Sequence, residues 1–181
     1  MKYRTIYADP PWNERGAGKI VRGAQRHYPL MSTRDICGLR LNGFQGCVLA
    51  PFAGDVAERD AHLYLWVTNN FLLDGLSVLK AWGFEYKTMI TWAKDRIGLG
   101  QYFRGQTEHC LFGVRGNLPY RMQDGKRMQG STLINASRSH HSKKPIEMRQ
   151  MIERVSVGPY LELFARERVI GWDVWGNEVE T

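Results

Sequence analysis

Directly after a short β-type run, Tyr3 to Ala8, the chain places Asp9, Pro10, Pro11 and Trp12 in succession. An acidic acceptor, two prolines and an aromatic at the carboxyl end of a strand make a stiff elbow with a flat face. Proline locks φ and brings no N–H, so the carbonyl before Pro11 is expected to be an acceptor with no competing donor. The chemistry that needs such an elbow is methyl transfer to an exocyclic amino group. An aryl amine delocalises its lone pair into the ring; two acceptors, Asp9 and the Pro10 carbonyl, can take its two N–H bonds and make the pair available at nitrogen. Trp12 is expected to stack on the ring, contributing about 1–3 kcal/mol. An isolated Asp-Pro-Pro is more simply a turn with a capping Asp and a core Trp. Four residues in this order after a strand favour the chemical reading.

The elements that must hold this elbow follow from periodicity. Leu63 to Thr68 is a continuous apolar run bounded by Asn69-Asn70, which predicts a strand buried on both faces. Leu72, Leu73, Leu76 and Leu79 repeat at helical spacing, with Gly83 as the stop. Tyr86 to Ala93 and His109 to Val114 read as strands joined by a basic loop, Lys94 to Thr107. Ser32 to Asp35 resembles a capping box opening a short helix. Asn13 to His27, glycine-rich and basic, reads as a mobile loop over the site, while Asn42 to Asp60 and Arg115 to Lys144 read as largely irregular. Pro145 suits a first helical position, and Ile146, Met151, Ile152 and Val155 give that helix an apolar side. Tyr160 to Phe164 and Val174-Trp175 close the chain as strands. This alternation predicts an α/β fold: a mostly parallel central sheet with helices on both faces, in a single domain over 1–181. Ligands of open α/β sheets lie outside the carboxyl ends of strands, so the Asp9 elbow and the segment after Phe164 are expected to share one crevice. No Gly-x-Gly-x-x-Gly occurs, so a dinucleotide fingerprint is absent.

The formal charge of +7 is concentrated. Between Lys94 and Lys144 stand ten Lys or Arg and three Asp or Glu, and the rest of the chain is balanced. Tyr102, Phe103 and Tyr120 are interleaved there, a mix that supplies phosphate contacts and stacking and so points to nucleic acid; a solvated basic face is the plainer alternative. The three cysteines, Cys37, Cys47 and Cys110, form no Cys-x-x-Cys pair and read as reduced thiols. His140-His141 are adjacent and point apart in any regular element, so no metal site is expected. No apolar run approaches the roughly 20 residues of a membrane span, and the elbow follows the N-terminus too closely for a signal peptide. A cytoplasmic protein is the expectation.

Taken in order, Asp9-Pro10-Pro11-Trp12, His27-Tyr28-Pro29-Leu30-Met31-Ser32, Leu65-Trp66-Val67-Thr68-Asn69, Glu108-His109-Cys110-Leu111, Lys144-Pro145, Met151-Ile152-Glu153-Arg154, Glu162-Leu163-Phe164-Ala165-Arg166 and Trp175-Gly176-Asn177-Glu178 resemble the MT-A70 family of N6-adenine methyltransferases along nearly the whole chain. The resemblance implies a circularly permuted Rossmann-like methyltransferase that uses S-adenosyl-L-methionine. By matched position, Asp9, Pro10, Pro11 and Trp12 hold the flipped adenine. Asp9, Lys144, Phe164, Arg166, Asn177 and Glu178 serve the cofactor: Lys144 on the methionine carboxylate, Arg166 along the ribose, Asn177 and Glu178 on ribose and adenine. Tyr28, Trp66 and Arg104 form a second tier near the substrate. DNA is the preferred substrate because the chain is compact and lacks a recognisable RNA module. RNA adenine methylation, cytosine-N4 methylation and a catalytically silent nucleic-acid-binding subunit are the alternatives. Family members often pair, so a homodimer or heterodimer is expected. Longer members recruit residues upstream of the elbow to the cofactor's adenine, and here eight residues precede Asp9.

Overall fold

The computed structural model describes residues 1–13, 30–46, 50–98, 102–117, 121–138 and 143–179. The central sheet has seven strands in the order β7-β3-β4-β2-β1-β8-β9. These are β1 (Tyr3–Ala8), β2 (Ala57–Val67), β3 (Glu85–Lys94), β4 (Thr107–Arg115), β7 (Leu133–Ala136), β8 (Tyr160–Leu163) and β9 (Trp172–Trp175). Only β4 runs against its neighbours; β1 pairs parallel with both β2 and β8, β3 with β7, and β8 with β9. The carboxyl ends of β1, β2, β3 and β8 therefore open on one edge, together with the start of β4.

Period-two alternation divides the core between the two faces. Ile6, Ala8, Leu63, Leu65 and Val67 point to one side, where they pack with Val78 and Leu79 of α2 (Leu72–Ala81) and Ile36 of α1 (Thr33–Cys37). Tyr7, Tyr64, Trp66, Ile90, Trp92 and Cys110 point to the other, under Met148 and Ile152 of α3 (Ile146–Val155). Ser32 caps α1 as its sequence suggests, accepting from the Asp35 N–H at 3.2 Å. Gly83 ends α2 in a left-handed conformation, φ +80°, which glycine adopts at little cost. Pro145 caps α3 rather than opening it.

Two stretches read as irregular carry strands. The first half of β2, Ala57 to His62, lies within or just beyond the span expected to be loop; its run of Glu58, Arg59 and Asp60 hides it, because those side chains stay partly or fully exposed at the far end of the sheet. Between Arg115 and Lys144 lie β7 and a hairpin of β5 (Met122–Gln123) and β6 (Lys126–Arg127). Its turn residues Asp124 and Gly125 both have positive φ, 51° and 72°, as a tight hairpin turn requires. Both strands of the hairpin are exposed and β7 buries Ile134 alone, so neither produces an apolar pattern.

His62 on β2 has 2% of its surface exposed and shares a 2.6 Å hydrogen bond with Ser156, which also bonds Tyr64. Burial pushes its imidazole down from 6.5 to about 4. Between those values the unfolded chain binds a proton that the folded chain refuses, so stability falls as pH falls, by up to about 3 kcal/mol. Urea melts should show His62→Asn losing its disadvantage relative to wild type between pH 7 and pH 4.5. A difference constant with pH contradicts this account.

Candidate active site

β1 delivers Asp9 to the sheet's edge between two strands. The Asp9 N–H donates to Leu163 O at 3.4 Å, carrying the β1–β8 ladder one residue past Ala8. The chain then turns: the Trp12 N–H donates to Pro10 O at 2.9 Å, and Met31 N–H to Pro11 O at 2.8 Å. The Pro10 carbonyl is therefore not free of a competing donor, as the two prolines alone suggested. The donor comes from two residues on, and leaves the oxygen its second lone pair.

Trp12 also departs from expectation. Only 5% of it is exposed; its ring stacks on Phe71 at 5.3 Å, and its Nε1–H donates to Trp66 O at 2.9 Å. A ring with one face on Phe71 and its edge on β2 is a core anchor for the elbow and leaves little surface for a base to stack on. Trp66, with 1% exposed, donates its own Nε1–H to the Tyr7 hydroxyl at 2.7 Å. The elbow is thus fastened to β2, and β2 to β1. Trp12→Ala should cost about 3–5 kcal/mol, the usual loss for a buried aromatic, whereas Trp12→Phe should retain most of the stability. A urea midpoint insensitive to Trp12→Ala would remove the anchor role.

A chain of four charges runs along the edge. Lys144 Nζ lies 2.7 and 2.6 Å from the two oxygens of Asp9, 3.4 Å from Glu108 Oε2, and 5.3 Å from the Trp66 ring centre. Glu108 Oε1 in turn accepts from Lys94 Nζ in a very short contact. The two carboxylates are driven apart. Burial raises the Asp9 carboxyl against the pull of Lys144, with Glu108 raising it further and Arg166 lowering it. Burial also works against Glu108, but Lys144 and Lys94 outweigh it and hold that carboxyl below its ordinary value. Glu108 is held firmly as an anion while burial draws the Asp9 carboxyl upward; such divergence between carboxyls that share one lysine is characteristic of functional sites.

The other wall comes from the far end of the sequence. Phe164, one residue past β8, has φ +64°, a left-handed conformation a non-glycine residue adopts only under constraint. It turns the chain so that Ala165 N–H donates to Trp175 O at 3.0 Å and the Phe164 ring meets Trp175 edge-on. Gly176 is required there, since a Cβ would come within 2.2 Å of the Ala165 oxygen. Asp9, Lys144, Phe164 and Arg166 line one cavity of about 230 Å³, together with Tyr7, Arg149, Glu162 and Glu167. Residues from both ends of the sequence do converge.

The remaining candidates are dispersed. Arg166 pairs with Glu178 at 3.6 Å. Asn177 lines a second, larger hollow of about 1190 Å³ between α1, the 38–45 segment and β9. Arg104 is exposed on the β3–β4 loop, its Nε–H donating to Gly98 O at 2.8 Å. Tyr28, and with it the loop over 14–27, lies outside the described residues, as do Cys47, Tyr120 and His140-His141. The basic segment is not one surface either: Arg115 clamps the carbonyls of Gly54, Gly83 and Trp82, and Arg121 that of Glu153. Among the described residues no cluster of three His, Cys, Asp or Glu is placed to hold a metal ion, and no helix is long and apolar enough to cross a membrane.

Against this geometry stands a likeness over almost the full length: a family model described as MT-A70 matches residues 3–178. The chain belongs to the MT-A70 family. It is 31% identical to the type II methyltransferase M.MunI of Mycoplasma sp, covering 98% of this chain and 78% of that protein. It is also 31% identical to the human N(6)-adenosine-methyltransferase catalytic subunit METTL3, covering 99% of this chain, and 29% identical to the N(6)-adenosine-methyltransferase MT-A70-like protein of Drosophila melanogaster. This MT-A70 chain spans 28% and 27% of those two longer proteins. Glu108 and Lys94 are the residues of this MT-A70 site to which sequence reasoning gave no role. A signal existed: Ile90 and Trp92 are buried on one face of β3, and Lys94 continues that face at period two, as Glu108 does below Cys110 on β4. Two charges that close two apolar stripes on adjoining strands and keep 15% and 22% of their side-chain surface stand apart from a solvated rim.

Proposed function

We propose that this chain transfers a methyl group from S-adenosyl-L-methionine to the N6 amine of adenine in DNA. The observation that supports it best is the junction of the Asp9 elbow with Lys144, Phe164 and Arg166 in one cavity. The cavity's lining suits this cofactor, which carries a carboxylate, an ammonium and a sulfonium. Lys144 and Arg166 offer cations for the carboxylate, Asp9 and Glu162 offer anions for the positive centres, and Phe164 gives an apolar wall. Glu178, paired with Arg166, extends this set toward the ribose and adenine, while Asn177 stands on the neighbouring hollow.

When bound, S-adenosyl-L-methionine supplies an electrophilic methyl group. The protein's part is orientation. The target base leaves its stack at a cost of a few kcal/mol, Asp9 accepts one N6–H, and the remaining lone pair of the Pro10 carbonyl accepts the other, which aims the nitrogen. Asp9 acts as acceptor and positioner; an aryl amine gives up its proton readily only after it is methylated. Lys144 keeps Asp9 in place and is itself kept by Glu108, whose firm charge is maintained by Lys94. The DNA preference draws on the extent of likeness, 78% of the type II methyltransferase against 28% of METTL3.

Incubation with methyl-labelled cofactor and duplex DNA, single-stranded DNA or RNA, followed by identification of the modified nucleoside, tests the proposal. N6-methyladenine in DNA is the expected product. Label in RNA adenine alone moves the substrate, label in cytosine moves the base, and no transfer to any of the three leaves a binding subunit.

A further inference from the structure

The loop from Lys94 to Thr107 displays two adjacent aromatic rings to solvent. Tyr102 is 94% exposed and Phe103 is 92% exposed. Scattered exposed apolar residues are ordinary, but two neighbouring rings, both almost wholly in water, are a prepared contact surface. Their support is firm at the root. Lys94 N–H donates to Gln106 O at 2.9 Å and Gly98 N–H to Gly105 O at 2.7 Å. The Gln106 amide returns to Lys94 O at 3.1 Å, and Arg104 Nε–H to Gly98 O at 2.8 Å. The loop is closed like a hairpin beneath the rings.

Its root is also part of the active site, because Lys94 and Glu108 begin the charge chain that ends on Asp9. The surroundings select the kind of ligand. Arg104 follows the rings directly, and Arg96 keeps 79% of its side-chain surface. Asp95 is the loop's one acid, and its carboxylate is taken by the Arg138 N–H at 3.0 Å and Arg96 at 3.7 Å. Flat rings beside cations suit a polyanion with stacking faces.

We infer that Tyr102 and Phe103 form a finger that stacks on the bases flanking the target adenine. This rests on the reading that the chain acts on adenine in nucleic acid. Extruding a base leaves its neighbours with an uncovered face, and a ring pair whose root is joined to Asp9 through Glu108 and Lys144 can cover it.

The test is direct binding of fluorescein-labelled oligonucleotides to the full chain by anisotropy, with 2-aminopurine placed beside a candidate adenine as a second probe. Tyr102→Ala/Phe103→Ala should weaken binding about tenfold or more and abolish the 2-aminopurine quench. Tyr102→Trp/Phe103→Trp should restore both, and the melting temperature should be unchanged in each because the two rings are 94% and 92% exposed. Unchanged affinity and quench overturn the finger. So does a shift in oligomeric state with unchanged oligonucleotide affinity, which would assign the rings to another protein surface. Because binding is read without turnover, a wild type that binds through the rings but transfers no methyl group defeats the function proposed above and leaves the finger standing.

Discussion

Asp9→Ala is expected to lower kcat for methyl transfer by about 10²- to 10³-fold, the usual scale for removing one preorganised hydrogen-bonding group at a reacting centre. Cofactor affinity, measured by calorimetry, should change little by comparison, since Lys144, Phe164 and Arg166 remain. Asp9→Asn should fall nearly as far: the amide keeps the shape but presents one acceptor oxygen and loses the charge that holds Lys144 at 2.6 and 2.7 Å. The wild-type rate should also fall on the acid side at higher pH than an ordinary aspartate would give, because burial raises the Asp9 carboxyl and a protonated Asp9 is a poor acceptor. Weakened cofactor binding with full turnover at saturation would remove Asp9 from the chemistry and make it a cofactor ligand only.

Much of this site was legible because its chemistry sits at strand ends. Tyr3–Ala8, the apolar stretch to Val67 and Tyr160–Leu163 are short runs of mostly buried or half-buried side chains; the elbow follows the first at once, and Arg166 comes shortly after the last. What periodicity leaves out is the partner of each charge. Lys144 is far from Asp9 in sequence, and only the fold shows its ammonium on that carboxylate rather than awaiting a ligand. Arg166 has Glu167 beside it and Asp173 nearby in sequence, yet Glu167 is taken by Lys143, Asp173 by Tyr3, and Arg166 finds Glu178. Trp12 shows the opposite limit. Its residue type fits both a stacking platform and a core anchor, and the decision belongs to Phe71 and Trp66, whose positions a local pattern does not contain. The elbow therefore divides into an anchored ring, Trp12, and the Asp9 carboxylate and Pro10 carbonyl to which the function proposed above gives the target amine.

Lys144→Ala should destabilise the fold in a pH-dependent manner. It strips Asp9 of both close contacts and Glu108 of one, while Glu108 keeps Lys94. Breaking a buried ion pair costs about 3–5 kcal/mol when the survivor stays charged. Asp9 retains 21% of its side-chain surface and can take a proton, so about 2–3 kcal/mol near neutrality is the reasonable scale. Without Lys144, the folded-state pKa of Asp9 rises further above its unfolded value. Across that window the folded variant holds a proton that the unfolded chain has released, so its stability falls as pH rises and the deficit is complete above the folded pKa. Urea melts should thus show Lys144→Ala weakest near pH 8 and recovering toward pH 4, with Asp9→Asn/Lys144→Ala recovering much of the loss at pH 8. That non-additivity measures the coupling directly. A deficit of the same size at every pH, and unrelieved by Asp9→Asn, would mean that Lys144 stabilises through its stem and its contact with the Trp66 ring, and that the charge chain along the edge contributes nothing to the fold.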